Sequence, residues 1–383
     1  MSVHKVLIVT NRTDDGIGTH LKQITTLENA EISLAIIKPS KDRFTRVKRT
    51  HIFHGNQQFE RSRLYNPLSY LRFLGEIFWL RKVVVKERPE IILTIDIHAC
   101  LLATIFAYLF QIGQARTKII ATIHNNFSFV FKEKIPALLR PGLIIVCNLC
   151  FKRVEVFVCV SGGLADNFKQ FFGINNVKVI PNSLYSKKEP YDRFSLTERE
   201  LFDNKYFTVI SVAKLEQQKD FLTLIKAFSI FNAKAKNARL LLVGRGSQEK
   251  MLKEVVSKEG MSSRIYFLGW KNNVNQYLDK ASIFVLSTHY EGFGYVLLEA
   301  MARGVPVIST DAPFGPSEIL GKGKYGILIE PRSEQKLANA MLKLYHDKKL
   351  RNKLSKLGLE RVKKYSQTEM VVSYEKLIES VTA

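Results

Sequence analysis

The chain has 383 residues, 46% of them hydrophobic and 24% charged, which is long enough for two globular domains. This composition excludes a disordered tail, a collagen-like rod and a small disulfide-rich scaffold. A surplus of basic residues, 58 Lys and Arg against 35 Asp and Glu, gives a net charge of +23 and favours an anionic substrate, partner or surface.

The N-terminal segment begins with an apolar, strand-like run, residues 3–9, and lacks the architecture of a signal peptide, so we expect a cytoplasmic protein. The longest apolar stretch, Ala99–Phe110, is shorter than the roughly 18 residues that a membrane-spanning helix needs. Basic residues are spread over both halves of the chain without a zinc-finger or RNA-recognition motif, so nucleic acid is not an expected partner. The four cysteines lack the spacing of a complete metal site, and we expect buried thiols.

Short β-branched runs recur along the chain, each followed by a helix-length amphipathic segment. Because this alternation is typical of βαβ units, we predict an α/β protein with two doubly wound Rossmann-like domains of parallel strands. Ligands of such sheets bind beyond the carboxyl ends of the strands, so we expect the site in a cleft across which the domains face each other. The predicted strands cover residues 6–10, 91–95, 119–123 and 156–160, then 208–212, 240–243, 265–268, 283–286 and 305–310.

The segment 289–306 (HYEGFGYVLLEAMARGVP) is the most informative part of the sequence. It predicts a strand end, a glycine loop, a short helix and the start of another strand. Gly292 and Gly294 would let backbone amides approach a ligand at the helix N-terminus, where unpaired N–H groups and the helix dipole favour an anion. The pattern therefore indicates binding of a phosphate or diphosphate.

Two glutamates of this segment have alternative interpretations. Glu299 lies in a helix that is apolar nearly all round, where an unpaired carboxylate would be costly, so it needs a partner such as a ribose diol or a basic side chain. Glu291 precedes the helix and could accept hydrogen bonds from sugar hydroxyls or act as a helix-capping acid.

The two glutamates, eight positions apart in EGFGxxxLEAMAxGxPVI, resemble the E-x7-E signature of the family-4 retaining glycosyltransferases, nucleotide-sugar enzymes of the GT-B fold. The tail, residues 365–383, resembles the closing helix of that family, which returns to the first domain. Further segments resemble family motifs in the same order: residues 16–20 (GIGTH), 122–124 (TIH), 160–161 (VS) with 179–182 (VIPN), 212–219 (VAKLEQQK) and 242–246 (LVGRG).

The resemblance implies an organisation of four parts. Residues 1–185 would form an acceptor-binding domain and residues 206–365 a nucleotide-sugar-binding domain, joined by a polar linker at 186–205. Residues 366–383 would form the C-terminal helix that returns to the first domain.

The activity implied is retaining transfer of a sugar from a nucleotide sugar to a saccharide or lipid-linked acceptor, in the synthesis of a bacterial surface glycan of the lipopolysaccharide or capsule type. The nucleotide is uridine or guanosine diphosphate, with uridine as the working expectation. Two alternatives remain open: a nucleotide-sugar epimerase on the same fold, and a sugar-nucleotide or polyanion-binding protein without transferase activity.

Glycosyl transfer develops negative charge on the departing diphosphate, so fixed cations and helix-end amides stabilise the transition state more than the ground state. No Asp-x-Asp pair occurs in the sequence, so the carboxylates that hold a divalent cation in the other glycosyltransferase architecture are missing. We therefore expect a metal-independent enzyme without a cofactor, in which lysines take the place of the metal.

The resemblance assigns roles to individual residues. It implies that the catalytic residues are Lys219, Lys214, Glu291 and His124. It implies that the donor-binding residues are Gly16, Gly18, Lys214, Lys219, Gly244, Arg245, Gly292, Phe293, Gly294 and Glu299.

Several of these positions have a structural alternative. This chain has Ala213-Lys214 where the family usually has Gly-Arg, and lysine lacks the bidentate fork of arginine. Lys219 could be a solvated lysine that opens a helix, and Arg245 either adds a cation near the nucleotide or faces solvent. His124 ends an apolar strand and could be structural, as could His98.

An anionic membrane is a further candidate partner. Ser69–Glu87 mixes bulky apolar residues with Arg and Lys, which is typical of an amphipathic helix that lies on a bilayer or of a core helix with snorkelling cations. Residues 131–140 have a similar composition.

Overall fold

The structure is a computed structural model that describes residues 3–383 except 12, 14, 39–43, 45, 54–66, 111–116, 127, 130, 132–134, 185–193, 195–198 and 203–204. For residues 15 and 67–70 it describes the backbone alone. The chain divides into two compact units, of which the first comprises residues 1–185 and 367–383 and the second residues 186–366.

The first unit has a parallel sheet in the order β3-β2-β1-β4-β5-β6-β7. Its strands are β1 (His4–Thr10), β2 (Ala30–Ile36), β3 (Arg49–Ile52), β4 (Ile91–Ile95), β5 (Lys118–Ile123), β6 (Val156–Cys159) and β7 (Val177–Val179). Its helices are α1 (Asp15–Ile24), α2 (Pro67–Glu87), α3 (Ile97–Phe110), α4 (Arg140–Phe151), α5 (Gly162–Phe172) and α13 (Gln367–Thr382), with a 3₁₀ turn at Ala137–Leu139.

The C-terminal helix α13 is part of the first unit's core. Its apolar residues Met370, Tyr374, Leu377 and Ile378 recur at spacings of three and four, so they form one face. They join the same buried cluster as the apolar face of α1 and the strands β1, β2 and β4. Residues 367–382 therefore complete the first core although they follow the second unit in sequence.

The second unit has a parallel sheet in the order β10-β9-β8-β11-β12-β13. Its strands are β8 (Phe207–Val212), β9 (Ala238–Val243), β10 (Ile265–Gly269), β11 (Ile283–Leu286), β12 (Val307–Thr310) and β13 (Ile327–Ile329). Its helices are α6 (Phe221–Lys234), α7 (Glu249–Lys258), α8 (Asn275–Leu278), α9 (Tyr295–Ala302), α10 (Gly315–Ile319), α11 (Glu334–His346) and α12 (Lys348–Val362), with 3₁₀ turns at Gln217–Lys219 and Lys363–Tyr365.

The continuous apolar strands of the sequence are central in both sheets, because a parallel strand covered on both faces buries every side chain. All residues of β4, β11 and β12 are buried, for example. The predicted α/β class with two Rossmann-like parallel sheets is therefore confirmed.

Four strands are not among the predicted ones. Three of them, β3, β7 and β13, are sheet edges of three or four residues whose side chains are mostly half-buried or exposed, so they lack a strong apolar pattern. The fourth, β2, carries the run ISLAI and could have been predicted from it. The predicted strand at 305–310 begins only at Val307.

The segment predicted as a linker, residues 186–205, lies mostly outside the described residues. Its described aromatic residues Phe194 and Phe202 contact each other, with ring centroids 4.8 Å apart, and both pack against Tyr277 of the second unit.

Within the described residues, no helix is long and apolar enough to cross a membrane. The four cysteines are free and buried, as the sequence predicts.

Candidate active site

The candidate site of the second unit lies where the strand order reverses. The chain leaves β8 toward β9 and leaves β11 toward β12, on opposite sides of this pair of neighbouring strands. The two following loops therefore diverge and leave room for a ligand beyond the carboxyl ends of the strands. Lys214 and Lys219 follow β8, and Glu291 follows β11, so the fold brings these three predicted residues to one edge of one sheet.

The two loops are joined by hydrogen bonds. The Gln218 side chain donates to the carbonyl of Tyr290 at 2.7 Å, and the Gln218 carbonyl accepts from the amide of His289 at 2.8 Å. The hydroxyl of Ser287 donates to the carbonyl of Lys219 at 2.9 Å. These contacts hold Lys219 and Glu291 in a fixed relation through their backbones.

The Lys219 ammonium and the Glu291 carboxylate form an ion pair and are mostly buried, with 20% and 10% of their side chains exposed. The Glu291 amide donates to the carbonyl of Pro313 at 2.7 Å, and its carbonyl accepts from Phe314 at 2.9 Å, so its backbone is also fixed. Because little water screens the pair, its charges act strongly on any ion that approaches them. The solvated-lysine alternative does not fit this environment.

Asp220 and His289 are adjacent to this pair in sequence, and the sequence analysis does not single them out. Asp220 has a left-handed φ of 46° and caps α6 by accepting from the amide of Thr223 at 3.3 Å. Its other carboxylate oxygen lies 3.6 Å from Nδ1 of His289. Their positions in the sequence could have indicated them, because Asp220 directly follows the basic motif and His289 lies two residues before Glu291.

The glycine loop leads directly into α9. Gly294 is the N-cap residue with a φ of 103°, a conformation that favours glycine, and it carries no side chain that could cap the first amides. The ring of Phe293 is buried and contacts the rings of Tyr295 and Tyr365, at centroid distances of 5.5 and 5.8 Å. Phe293 can therefore offer a ligand its backbone but not its ring.

Glu299 lies one turn into α9, on the same face as Tyr295. This face is only partly covered, whereas the neighbouring Leu298 and Ala300 are fully buried. Burial raises the pKa of the Glu299 carboxyl to about 7. Among the described residues, no hydrogen bond or ion pair reaches this carboxylate, so it is available to a ligand that offers hydroxyl donors.

The basic loop packs on the loop after β9. Gly244 has a φ of 140°, and a Cβ there would lie 1.9 Å from the carbonyl oxygen of Ala213, so only glycine fits. The Ser247 hydroxyl and amide both donate to the Glu216 carboxylate and hold its pKa below the ordinary 4.5. Lys214 and Arg245 carry exposed side chains on these loops.

In the first unit, Gly16 and Gly18 lie within the first turns of α1, which begins at Asp15. The structure thus places them in the helix rather than in the loop that the resemblance implies. Gly18 is buried and Gly16 is half-buried.

His124 directly follows β5 and belongs to a buried aromatic cluster of the first unit. Its ring lies edge-on to that of His20, with centroids 4.3 Å apart, and its Nε2 is 3.1 Å from the Thr122 hydroxyl. The Tyr374 hydroxyl of α13 lies 3.3 Å from Nε2 of His20. No local pattern marks His20 or Tyr374 as a neighbour of this site, because only the fold brings α1 and α13 to the end of β5.

The surroundings of both histidines in this cluster favour the neutral imidazole. Burial lowers the pKa of His124 from the ordinary 6.5 to about 3. Burial, and next the neighbouring His124 ring, hold the pKa of His20 well below 6.5. A neutral imidazole can donate one hydrogen bond and accept another, which suits contact with hydroxyl groups.

His98 has a structural partner. Its Nε2 lies 2.8 Å from the carboxylate of Glu76, which also accepts from Arg72 at 3.0 Å. Burial opposes ionisation of Glu76, but the hydrogen bonds and charges of His98 and Arg72 outweigh it and lower its pKa.

Two family models match the chain. The model described as Glycosyltransferase Family 4 covers residues 14–184, and the model described as Glycosyl transferases group 1 covers residues 192–361. Together they span most of the sequence, and the second contains every predicted site residue of the second unit. The chain belongs to the family-4 glycosyltransferases.

Relatives of this glycosyltransferase include transferases of known and unknown role. It is 27% identical over 357 residues to an uncharacterised glycosyltransferase of Methanocaldococcus jannaschii, covering 82% of this chain and 85% of the relative. It is also 27% identical to a lipopolysaccharide core biosynthesis glycosyltransferase of Rhizobium meliloti, covering 60% of this chain and 66% of the relative. It is 23% identical to a Campylobacter jejuni 4-alpha-N-acetylgalactosaminyltransferase that acts on a diphospho-undecaprenol, covering 68% and 66%.

Solved structures share the fold over nearly the whole chain. Sucrose-phosphate synthase from Thermosynechococcus elongatus superposes with a TM-score of 0.80 at 16% identity, covering 99% of each chain. Anabaena HepE in complex with UDP-glucose gives 0.75 at 18% identity, covering 98% of this chain and 100% of HepE. The glycosyltransferase therefore has the GT-B fold that the sequence resemblance implies.

No cluster of three or more His, Cys, Asp or Glu side chains within the described part of the chain is placed to hold a metal ion. The charged groups at the strand ends of the second unit include the Lys219–Glu291 pair, and Glu299 lies one turn into α9.

Proposed function

We propose that this glycosyltransferase transfers a sugar, with retention of anomeric configuration, from a UDP-sugar to a saccharide or lipid-linked acceptor in the assembly of a bacterial surface glycan. The proposal is carried by one observation. The mostly buried Lys219–Glu291 pair lies at the entry to the glycine loop of α9, and Glu299, without a partner, lies one turn further along.

The leaving diphosphate would bind the cationic side of this arrangement. The Lys219 ammonium and the first amides of α9 supply fixed positive charge, and Lys214 extends from the neighbouring loop. These groups stabilise the diphosphate most when its negative charge is greatest, which is in the transition state. Transfer would then require no metal ion, since the chain's own cations balance the leaving group.

Glu299 would accept hydrogen bonds from the ribose hydroxyls of the nucleotide. Both oxygens of the carboxyl group act purely as acceptors only when it is ionised, and burial, which raises its pKa to about 7, disfavours that charge. Binding of a diol restores the hydrogen bonds that burial removed, so nucleotide affinity is expected to depend on ionisation of this group.

Glu291 would position the transferred sugar rather than attack it, because its carboxylate is already committed to Lys219. His124 would contact a substrate hydroxyl as a neutral imidazole. Two relatives are named as alpha-transferases, the poly(glycerol-phosphate) alpha-glucosyltransferase of Bacillus subtilis and the 4-alpha-N-acetylgalactosaminyltransferase of Campylobacter jejuni, and these names support retention. The lipopolysaccharide core enzyme of Rhizobium meliloti and the diphospho-undecaprenol substrate of the Campylobacter enzyme support the class of acceptor.

The first prediction tests Glu299 with UDP as the probe. Glu299→Gln keeps the shape of the side chain but removes the charge, so we expect UDP affinity to fall about tenfold or more at about pH 8. In the wild type, affinity should decrease as the pH falls below about 7, and this dependence should disappear in the variant. Calorimetric titration measures both effects, and Glu254→Gln, on an exposed position of α7, is the matched control.

Two outcomes would contradict the proposal. Unchanged UDP affinity in Glu299→Gln would remove this carboxylate from nucleotide binding. If UDP binds but no UDP-sugar of a panel containing glucose, galactose and their N-acetylamino forms releases UDP with candidate glycan acceptors, the chain is a binding protein and the transferase assignment of this site fails.

A further inference from the structure

The first unit exposes an unusual concentration of large apolar side chains. Of the 19 such side chains that are exposed among the described residues, 12 lie between residues 71 and 149. The densest part is α4 with the 3₁₀ turn before it, where Leu138 is 90% and Ile145 is 61% exposed. A soluble monomer rarely leaves so many neighbouring apolar groups in water without a partner for them.

The exposed apolar residues of α4 follow helical spacing. Ile145 and Val146 are adjacent, Leu149 lies one turn further along, and all three are exposed, whereas Cys147, Cys150 and Phe151 are buried on the opposite face. Because the buried face already packs on the unit, the outward apolar face is not needed for the core.

This face continues across α3 to α2. The Tyr108 hydroxyl of α3 donates to the carbonyl of Leu149 at 2.7 Å, and at the end of α3 the Phe110 ring lies 5.9 Å from that of Phe78, which is 57% exposed. Among residues 71–87 of α2, whose side chains the structure describes, the outward residues are apolar or basic, namely Leu71, Leu74, Phe78, Arg81, Lys82, Val85 and Lys86. We call these outward residues of α2, α3, α4 and the 3₁₀ turn the apolar–basic surface.

The charges of this surface all have one sign. No Asp or Glu occurs between residues 135 and 154, while Arg140 begins α4 and Lys152 and Arg153 follow it. The Arg153 guanidinium lies over the Tyr108 ring at 4.4 Å, and that of Arg81 lies over the Phe110 ring at 5.1 Å. Two copies of such a surface would repel each other, whereas an anionic bilayer offers both hydrocarbon and negative charge.

We propose that the apolar–basic surface docks on an anionic lipid bilayer, with the outward face of α4 inserted at the level of the head groups and the basic residues against lipid phosphates. The helix most exposed for this role is α4, which the sequence analysis does not single out. The basic face of α2 takes part alongside it, and the buried Glu76 of α2 does not oppose it.

The test uses the full chain and vesicles of phosphatidylcholine, with or without phosphatidylglycerol, in the absence of any sugar donor. The wild type should sediment with the anionic vesicles, and less so as the salt concentration rises. The double variant Ile145→Ser/Leu149→Ser should lower the vesicle partition coefficient about tenfold or more. The matched control Met251→Ser/Leu359→Ser changes exposed apolar residues of the second unit and should bind like the wild type.

A fluorescent label reports which face inserts. Ile145→Cys places an exposed thiol on α4, and the native thiols are buried, with burial raising the pKa of Cys147 to about 11 and of Cys159 to about 12. A polarity-sensitive dye on this thiol should shift to shorter wavelengths with anionic vesicles. The same dye on Met251→Cys should not shift.

Three results would overturn the proposal. The first is that the wild type does not sediment with anionic vesicles at low salt. The second is that the Ile145→Ser/Leu149→Ser variant sediments as well as the wild type while its thermal unfolding is unchanged. The third is that the wild type forms a dimer, the same variant is a monomer, and neither binds vesicles. The last result would assign the surface to a second copy. None of these measurements requires sugar transfer, so membrane docking and the proposed reaction succeed or fail separately.

Discussion

Lys219 and Glu291 illustrate how one contact serves both stability and chemistry. The pair neutralises two mostly buried charges, each of which would be costly alone. A bound diphosphate would offer the Lys219 ammonium a second anionic partner. The Glu291 carboxylate could still accept a hydrogen bond from a sugar hydroxyl. The residue that we expect to stabilise the leaving group is therefore also one that stabilises the fold around Glu291.

A second prediction follows at the residue scale. Lys219→Ala leaves the Glu291 carboxylate buried and unpaired, so we expect the free energy of unfolding to fall by about 2–4 kcal/mol, in addition to a loss of about 100-fold or more in turnover. The matched control Lys226→Ala breaks the more exposed pair with Glu334 in the same unit, whose side chains are 42% and 39% exposed, and should cost less than about 1 kcal/mol.

Urea unfolding and UDP release measure the two effects of Lys219→Ala. The double variant Lys219→Ala/Glu291→Gln should regain part of the lost stability, because the uncompensated charge is gone, but not the turnover. Equal losses in the free energy of unfolding for Lys219→Ala and Lys226→Ala would contradict the prediction, because the Lys219–Glu291 pair would then be as well solvated as the Lys226–Glu334 pair.

At the scale of elements, the loops after β8 and β9 pack closely against each other. The loop after β9 therefore needs a glycine where the two backbones touch. The Ala213 amide donates to the carbonyl of Val243 at 3.1 Å and the Leu215 amide to that of Arg245 at 3.0 Å, so the basic loop takes its shape from its neighbour. The position of Lys214 is thus set by a glycine at 244, in another loop.

The third prediction concerns this contact. Gly244→Ala would place a Cβ 1.9 Å from the carbonyl oxygen of Ala213, which forces the backbone apart, so we expect a loss of about 3 kcal/mol or more together with weaker UDP binding. Gly260→Ala is the control, because its φ of 67° is also left-handed but nothing lies within 4 Å of the new Cβ, and it should cost about 1 kcal/mol. Urea unfolding measures the loss in free energy of unfolding for both variants. Similar losses would mean that the left-handed backbone conformation, and not the contact with Ala213, requires glycine at 244.

At the scale of the whole molecule, the two units carry buried titratable groups that respond to pH in opposite directions. In the first unit, His20 and His124 have lowered pKa values, so the unfolded chain binds more protons than the native one below about pH 6.5 and acid destabilises this unit. In the second unit, the pKa of Glu299 is raised from 4.5 to about 7, so its contribution is complete below pH 4.5 and is lost as the pH rises through 7.

The fourth prediction tests this opposition. On going from about pH 8 to about pH 5, His124→Gln should lose less stability than the wild type, by at most about 2 kcal/mol, because the variant has no imidazole to charge. Glu299→Gln should gain less than the wild type over the same range, by at most about 3 kcal/mol. Urea unfolding at several pH values measures how the free energy of unfolding depends on pH, and hydrogen exchange assigns the change to one unit or the other. The same pH dependence in the wild type, His124→Gln and Glu299→Gln would contradict the pKa shifts.

Strongly apolar elements were predictable from the sequence, and weak ones were not. Buried central strands such as β4 and β11 need side chains that are apolar throughout, which leaves a clear pattern, whereas the edge strands β3, β7 and β13 are ordered mainly by hydrogen bonds to a neighbour. The glycine loop and the two glutamates of the E-x7-E segment were also identifiable, because glycine and buried acids are unusual in an apolar helix context.

The sequence by itself determined the class of fold and the family, and it singled out Lys219, Glu291 and Glu299 as candidates, since these depend on local pattern and on motifs that are contiguous in the chain. Only the tertiary structure decided which groups are paired. It joins Lys219 to Glu291 across 72 positions, leaves Glu299 without a partner and brings Tyr374 to His20 from the far end of the chain. It also turns the apolar face of α4 outward. The physical reason is that burial and pairing depend on residues that are distant in sequence, which no local pattern specifies.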